Sequence, residues 1–343
     1  MPRCLVVACG AIFLALTLPA GAQDDVAAFY RGKHLRIMVG SAVGGGYDLF
    51  ARAVARHIVH HIPGNPAVIV QNLPAAGGVV MVNQLFMVGP KDGTVIGAPI
   101  NGIPTMPLLQ PGAAQFHAGK LNWIGSTNRE PYVAFLWHTA PVQNLAELQR
   151  TEVLVGATTP GTTMVDFPAI TNDILGTRFK IVRGYQGTPQ INLAIERGEV
   201  QGMGGIGWQS VKTQTPQWIA ENKIKVVAQF GLRRHAELPD VPLMMDLAKT
   251  DADRQALSMM FGRTEYGRPY FVPPDVPAER VQALRRAFDA TMKDPAFVAD
   301  AAKLQLQVDP MTGEEVQTLV AQLAETPPAV VARVRAALEA GAK

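Results

Sequence analysis

The chain has 343 residues, with 31 basic against 28 acidic side chains and only 17% charged residues overall. A formal charge of +3, with no basic run longer than Arg233-Arg234, excludes both the basic face that a nucleic-acid binder needs and a polybasic membrane patch. Its two cysteines, Cys4 and Cys9, sit near the start, so the rest of the chain has no disulfide framework, no cysteine nucleophile and no cysteine-ligated metal.

Residues 1–22 read as a cleavable secretory signal. Arg3 supplies the positive start, Ala11 to Leu18 the apolar run, and Pro19-Ala20-Gly21-Ala22 the small residues before cleavage after Ala22. The run falls short of the roughly 20 apolar residues of a membrane span. In Val6-Val7-Ala8-Cys9 the cysteine precedes the apolar run, which counts against a lipoprotein box. A periplasmic protein of roughly 320 mature residues follows, long enough for two domains.

The mature chain opens on alternating strands and helices. Leu35 to Val39 is a strand that runs into Gly40-Ser41-Ala42-Val43-Gly44-Gly45-Gly46. That loop opens a helix from Tyr47 to Ile62, with Leu49, Phe50, Ala53, Val54, Ile58 and Ile62 on one face and Arg52, Arg56 and His60 on the other. Val68 to Gln71 is the next strand, Ala76-Gly77-Gly78 opens a second helix, and Thr94 to Pro99 follows the turn Pro90-Lys91-Asp92-Gly93. This βαβαβ order predicts a parallel sheet with right-handed crossovers.

A second set repeats the plan. Thr151 to Gly156 is a strand. The loop Ala157 to Thr163 leads to a helix through Asp166, Ile170 and Ile174. Phe179 to Arg183 is a strand, Pro189 to Arg197 a short helix, and the segment after Gly202 and Ile224 to Phe230 are further strands. The tail is helical. Pro277 starts one helix, with Val281, Leu284, Phe288 and Met292 in a stripe, and Thr312 with Glu315 forms a capping box for another. These helices are expected to cover the first lobe.

Glycines at a strand-to-helix junction, with the free N–H groups and positive end of a helix start, make a place for an anion. Which anion is the open question. Gly40, Gly44 and Gly46 have the spacing of a short-chain dehydrogenase loop. However, the next strand ends Gln71-Asn72 without a ribose-binding acid, and none of the six tyrosines has Lys four residues later. No Gly-Lys-Ser/Thr follows for a Walker loop, and Ser41 is out of register for a Gly-x-Ser-x-Gly elbow, so its hydroxyl is a cap or ligand donor rather than a nucleophile. His57 and His61 have zinc spacing, but no acid completes a His-Glu-x-x-His frame, and no metal or cofactor is expected. Asp48 either caps its helix or fixes the loop for a ligand. Tyr47 and Trp208 could wall a cleft or pack in the core. Arg183 could fork a carboxylate or pair at the surface.

In this order the motifs resemble the extracytoplasmic solute receptors of tripartite tricarboxylate transporters, the Bug-type substrate-binding proteins. The segments are Phe29-Tyr30-Arg31-Gly32-Lys33, Gly44 to Arg52, Val70 to Gly78, Pro90 to Thr94, Thr159 to Thr163, Tyr185-Gln186-Gly187, Arg197 to Val200 and Leu238 to Pro242. Together they cover essentially the whole mature chain. Val43 replaces the proline usual before the glycines, Ala75 stands where glycine is frequent, and Gln201 replaces a common acid.

The resemblance implies an α/β, type 2 periplasmic-binding-protein fold: two lobes, a ligand cleft and two hinge crossovers. Lobe 1 would span 23–134 and 263–343, lobe 2 would span 135–262, and the hinges would lie near Val133 to Leu136 and Phe261 to Arg268. First-lobe contacts would be Ser41, Gly44, Gly45, Gly46, Tyr47, Asp48, Gly77, Gly78 and Asn101. Second-lobe contacts would be Thr159, Gly161, Thr162, Thr163, Gly205 and Trp208. The expected function is capture of a small carboxylate by a monomer that serves the membrane subunits of a transporter, without catalysis. Two alternatives remain: an exported hydrolase or lyase using Asp48 or Asp166, and a ligand-sensing adaptor of the same fold.

Overall fold

The computed structural model describes Ala20 to Gly341. Most of the expected signal, residues 1–19, lies outside the described residues, and a helix, Ala20–Tyr30, runs through the expected cleavage point.

Among the described residues, eleven strands form two mixed sheets. The first has six strands and the second five. In the first, β1 (His34–Val39) pairs parallel with β2 (Ala67–Asn72) and β3 (Val95–Ala98), as the βαβαβ pattern predicts. Beyond β3 the sheet turns antiparallel, through β10 (Pro269–Val272), β4 (Asn122–Ser126) and β11 (Met311–Thr312). The second sheet has parallel β6 (Val153–Gly156), β7 (Phe179–Val182) and β8 (Gly202–Gly207). Antiparallel β5 (Tyr132–Trp137) and β9 (Ile224–Phe230) complete it. Neither sheet is therefore all parallel: the first takes in β10 and β11 from the last third of the chain together with β4, and the second adds β5 and β9, the strands that flank its parallel trio in sequence.

Helices cover both faces of each sheet. On one face of the first sheet, Gly46–Ile58 buries Phe50, Ala53, Val54 and Ile58 against β1 and the helix Ala278–Lys293, which contributes Leu284 and Phe288. Burial of each large side chain among these contributes roughly 1.5–3 kcal/mol. Opposite, Val79–Met87 and Gly313–Ala324 pack around Trp123 and Phe271, the latter helix held by the Thr312/Glu315 capping box that the sequence predicts.

Two expectations need correction. Val133 to Leu136 is not a hinge but the interior of β5, between β8 and β9. The first crossing lies instead at residues 127–131, beside the second, at 262–268. Thr127 N–H donates to Arg268 O (3.1 Å), Gly267 N–H to Asn128 O (3.0 Å) and Glu130 N–H to Thr264 O (3.3 Å). The tail also does not stay on the first lobe. The last helix, Pro328–Gly341, packs Val330, Val331, Val334 and Ala337 into the second lobe with Phe167 and Phe261. Arg333 Nη1 pairs there with Asp173 at 2.6 Å. The reason is its apolar stripe, which the second lobe's uncovered face accepts once residues 325–327 cross over. Between Gln84 and Pro74, Ala75–Gly78 is a 3-10 turn with Ala76 and Gly77 in left-handed conformations, so the α-helix starts only at Val79.

Candidate functional site

A cavity of about 430 Å³ lies between the sheets, lined from both lobes. From the first lobe come Ser41, Gly45, Gly46 and Tyr47 after β1, Leu73 to Gly77 after β2, and Ile100 and Asn101 after β3. From the second come Thr158, Thr159, Thr162 to Met164 after β6, Gly184 to Thr188 after β7, and Ser210 after β8. Each group sits at the C-terminal end of a strand, where an open α/β sheet places its helix starts.

The lobes are in close contact. A Cβ on Gly187 would come within 2.9 Å of the Ala42 Cβ, and one on Gly102 would overlap the Gly161 carbonyl oxygen. Within the lining, three buried hydroxyls lack a partner among the described residues: Ser41 Oγ, Thr159 Oγ1 and Thr188 Oγ1. Thr188 is 7% exposed, so its hydroxyl has no alternative in bulk water.

Among the described residues no acidic side chain lines the cavity, and the one charged residue there is Arg268. Arg268 Nη2 meets Glu130 at 2.5 Å and Ser210 Oγ at 3.1 Å, and Nη1 donates to Tyr132 Oη at 2.9 Å. The guanidinium lies 4.3 Å from the Tyr47 ring centre. Burial works against its charge, but Glu130 and the Tyr132 hydroxyl outweigh that and hold it protonated well above the usual range. The floor of the cavity is thus a neutralised pair. Above it, Tyr47 Oη accepts from the Asn101 N–H (3.0 Å) and meets Tyr132 Oη at 3.2 Å, a contact across the lobes. Burial and the neighbouring Tyr47 raise the Tyr132 hydroxyl far above its normal range, so it stays neutral.

Of the residues singled out in the sequence, Ser41, Gly45, Gly46, Tyr47, Gly77, Asn101, Thr159, Thr162 and Thr163 share this lining. The others stand behind it. Asp48 accepts from the Gly44 N–H (2.9 Å), Arg52 Nε (3.0 Å) and Asn72 Nδ2 (2.9 Å), and so braces the glycine loop. Burial pushes its carboxyl up, but these bonds prevail and lower it. Gly44 takes a left-handed turn with φ 77°, and Gly78 lies so close to Gly40 that a side chain would strike its backbone. The Gly161 N–H donates to Asp166 (3.0 Å), whose other oxygen receives Arg263 Nη1 at 2.7 Å. Gly205 is buried in β8 beneath the Thr163 carbonyl. Trp208 is 9% exposed, packs in the second lobe and donates Nε1 to Glu237 (2.8 Å). Arg183 is exposed and outside the lining. His57 and His61 pair separately with Asp300 and Asp294, each at 2.9 Å, and no metal-holding cluster occurs among the described residues.

Sequence reasoning missed Arg268, Tyr132, Ser210 and Thr188. Only Thr188 left a local signal: a hydroxyl residue between Gly187 and Pro189 at a helix start.

No helix among the described residues is long and apolar enough to cross a membrane. A protein of Cupriavidus necator, described as the UPF0065 protein in the gbd 5' region, is 21% identical over 96% of this chain and 95% of its own. The structure of the periplasmic binding protein BugD superposes with a TM-score of 0.71 at 22% identity, over 92% of this chain and 99% of that one. MatC of Rhodopseudomonas palustris, solved with bound malate, gives 0.67 at 16% identity, over 89% and 99%. These likenesses establish the periplasmic-binding-protein fold. The model of the TctC family, the tripartite tricarboxylate transporter family receptors, matches residues 50–335, and this chain belongs to that family.

Proposed function

We propose that the chain is an extracytoplasmic receptor that captures a small carboxylate by closing its two lobes and presents it, unchanged, to the membrane subunits of a tripartite transporter. The observation that carries this reading is the cavity's inventory. Unpartnered hydroxyls at Ser41, Thr159 and Thr188 come from both lobes, no acid faces the ligand, and the one cation is already paired. Such a site offers donors to an anion without a strong counter-charge, so a carboxylate is held by hydroxyls and helix-start N–H groups. An ammonium group would find no carboxylate in the lining, which disfavours amino acids and amines.

The segment around Arg3 and Ala11 to Leu18 supports export to the periplasm. Family membership supports the transporter partnership, and malate in MatC supports a carboxylate ligand. The paired crossings at 127–131 and 262–268 suit a hinge that needs no second subunit, in keeping with a monomer. Asp48 and Asp166, the acids an enzyme would need, are committed to loop N–H groups and arginines outside the lining, which favours capture over catalysis. A thermal-shift screen of carboxylates and amino acids tests the reading. Carboxylates should raise the melting temperature and be recovered intact. Stabilisation by amines alone, or turnover of the added compound, would overturn it.

A further inference from the structure

Asn72 closes β2 opposite Val39, the last residue of β1, and stands behind the cavity lining rather than in it. Its side-chain amide is fully engaged. One Nδ2 proton goes to Asp48 Oδ1 (2.9 Å) and the other to the Ser41 carbonyl oxygen (3.0 Å), while Oδ1 accepts from Arg52 Nη2 (3.1 Å). Arg52 Nε returns to Asp48 at 3.0 Å and closes a ring of side chains. Packing alone accounts for that ring, because Asp48 is 1% exposed and its carboxylate needs donors. The bond to Ser41 is different: it leaves the ring and takes hold of one peptide of the glycine loop. A trans peptide points its C=O and N–H in opposite directions. With the Ser41 carbonyl turned back to Asn72, the Ala42 N–H is turned away from it, to the side on which Ser41 and Ala42 line the cavity. Among the described residues that N–H makes no hydrogen bond. The Gly44 and Gly45 N–H groups, by contrast, are taken up within the loop, by Asp48 and by the Ala42 carbonyl. Two unpartnered hydroxyls share the corner: Ser41 Oγ and Thr188 Oγ1 each lie 3.9 Å from the point a Cβ on Gly45 would occupy.

Taking the carboxylate-receptor reading as given, we propose that Asn72 is a positioning residue for the ligand. By holding the Ser41 carbonyl it aims the Ala42 N–H into the cavity, and that N–H donates to a carboxylate oxygen beside Ser41 Oγ and Thr188 Oγ1. Asparagine suits the task because one planar group supplies two donors and an acceptor at once. The donor facing Ser41 is the one the ligand depends on; the other donor and the acceptor keep Asp48 and Arg52 in place. Without a donor behind it, the Ser41 carbonyl is free to turn toward the cavity, where its oxygen would repel the anion that the N–H attracts.

The test is calorimetric titration of the purified chain with malate, adipate and 3-phenylpropanoate, beside its melting temperature. Asn72→Asp puts a carboxylate against both Asp48 and the Ser41 oxygen, so the melting temperature should fall and the affinity should drop about tenfold or more. The exchanged pair, Asp48→Asn with Asn72→Asp, rebuilds the ring: the new amide donates to the new carboxylate, which still accepts from Arg52. No donor then faces the Ser41 oxygen. Most of the melting temperature should return while the affinity stays about tenfold down. Return of both together would make Asn72 merely structural and overturns the inference, as does unchanged affinity in Asn72→Asp. The wild type supplies a reading that needs no variant. With isotope-labelled alanine, the Ala42 amide resonance should shift, and its hydrogen exchange slow, as the tightest of the three acids is added. A bound acid that leaves the Ala42 amide unmoved overturns this inference alone. Binding of none of the three to the wild type overturns it together with the carboxylate reading.

Discussion

Glu130→Gln separates the two tasks of the cavity floor. Both members of the Glu130–Arg268 pair are 2% exposed at the side chain, and their partners are fixed: Gln209 N–H on Glu130, Tyr132 and Ser210 on Arg268. Glutamine keeps the shape and the acceptor for Gln209 but removes the charge that neutralises the guanidinium. Breaking one side of a buried pair costs about 3–5 kcal/mol. Unfolding entropy of about 2.1 cal/mol/K per residue over roughly 320 residues gives ~0.7 kcal/mol/K, so the melting temperature should fall by about 4–8 °C. The same change exposes a positive charge to the ligand. At a separation of about 6 Å and an effective dielectric of about 20, that adds roughly 2–3 kcal/mol to carboxylate binding, a gain of about 30- to 150-fold in affinity. Calorimetry for stability and titration for affinity read the two effects independently. The double variant Glu130→Gln with Arg268→Met should recover much of the lost stability while losing the affinity gain. A Glu130→Gln protein that melts within about 1 °C of the wild type and binds carboxylate no better would refute the idea that this pair sets the charge of the floor.

Three other outcomes are expected. Gly102→Ala places a methyl group against the Gly161 carbonyl across the lobes, so it should hold the cleft ajar. Small-angle scattering should then show no ligand-induced compaction, with the unliganded melting temperature little changed. Asp48 and Asp300 are both held below the usual carboxylate range, Asp48 against its burial by Arg52, Gly44 and Asn72, and Asp300 by His57 and Arg56. Carboxyls depressed in this way contribute stability above their unfolded value of about 3.9 and lose it as pH falls through the folded value. Thermal stability should therefore be level near neutrality and fall below about pH 4, and Asp48→Asn should flatten part of that fall. Truncation after Thr326 removes Val330, Val331, Val334 and Ala337 from the second lobe's core. Hydrogen exchange should then rise in Thr163–Leu175 and Asp251–Phe261 while the first lobe stays protected; uniform exchange across both lobes would contradict this packing.

The strand–loop–helix units were legible because each carries its own period. Ile37 to Val39 leads into glycines, and Phe50, Val54 and Ile58 recur at helical spacing. Loops at strand ends could accordingly be named, and Ser41, Tyr47, Asn101 and Thr159 do meet in one cavity. Glycines were harder to read. Gly78 and Gly205 permit close backbone packing rather than facing the cavity, and the local sequence is the same in either case. Arg268 and Glu130 are far apart in the chain and meet only because the two crossings lie side by side, so no spacing rule points to them. The last helix shows its apolar stripe plainly, but a stripe does not say which lobe will cover it. Thr188 reads as an ordinary helix start; that its hydroxyl lacks a partner emerges only when the other lobe closes over it.

The most direct measurement is a crystal structure of the chain with a carboxylate bound. The expected result is a closed cleft in which carboxylate oxygens accept hydrogen bonds from Thr188 Oγ1 and Ser41 Oγ, while Glu130 still holds Arg268. A carboxylate paired with Arg268 in place of Glu130, or bound anywhere outside this cavity, would contradict it.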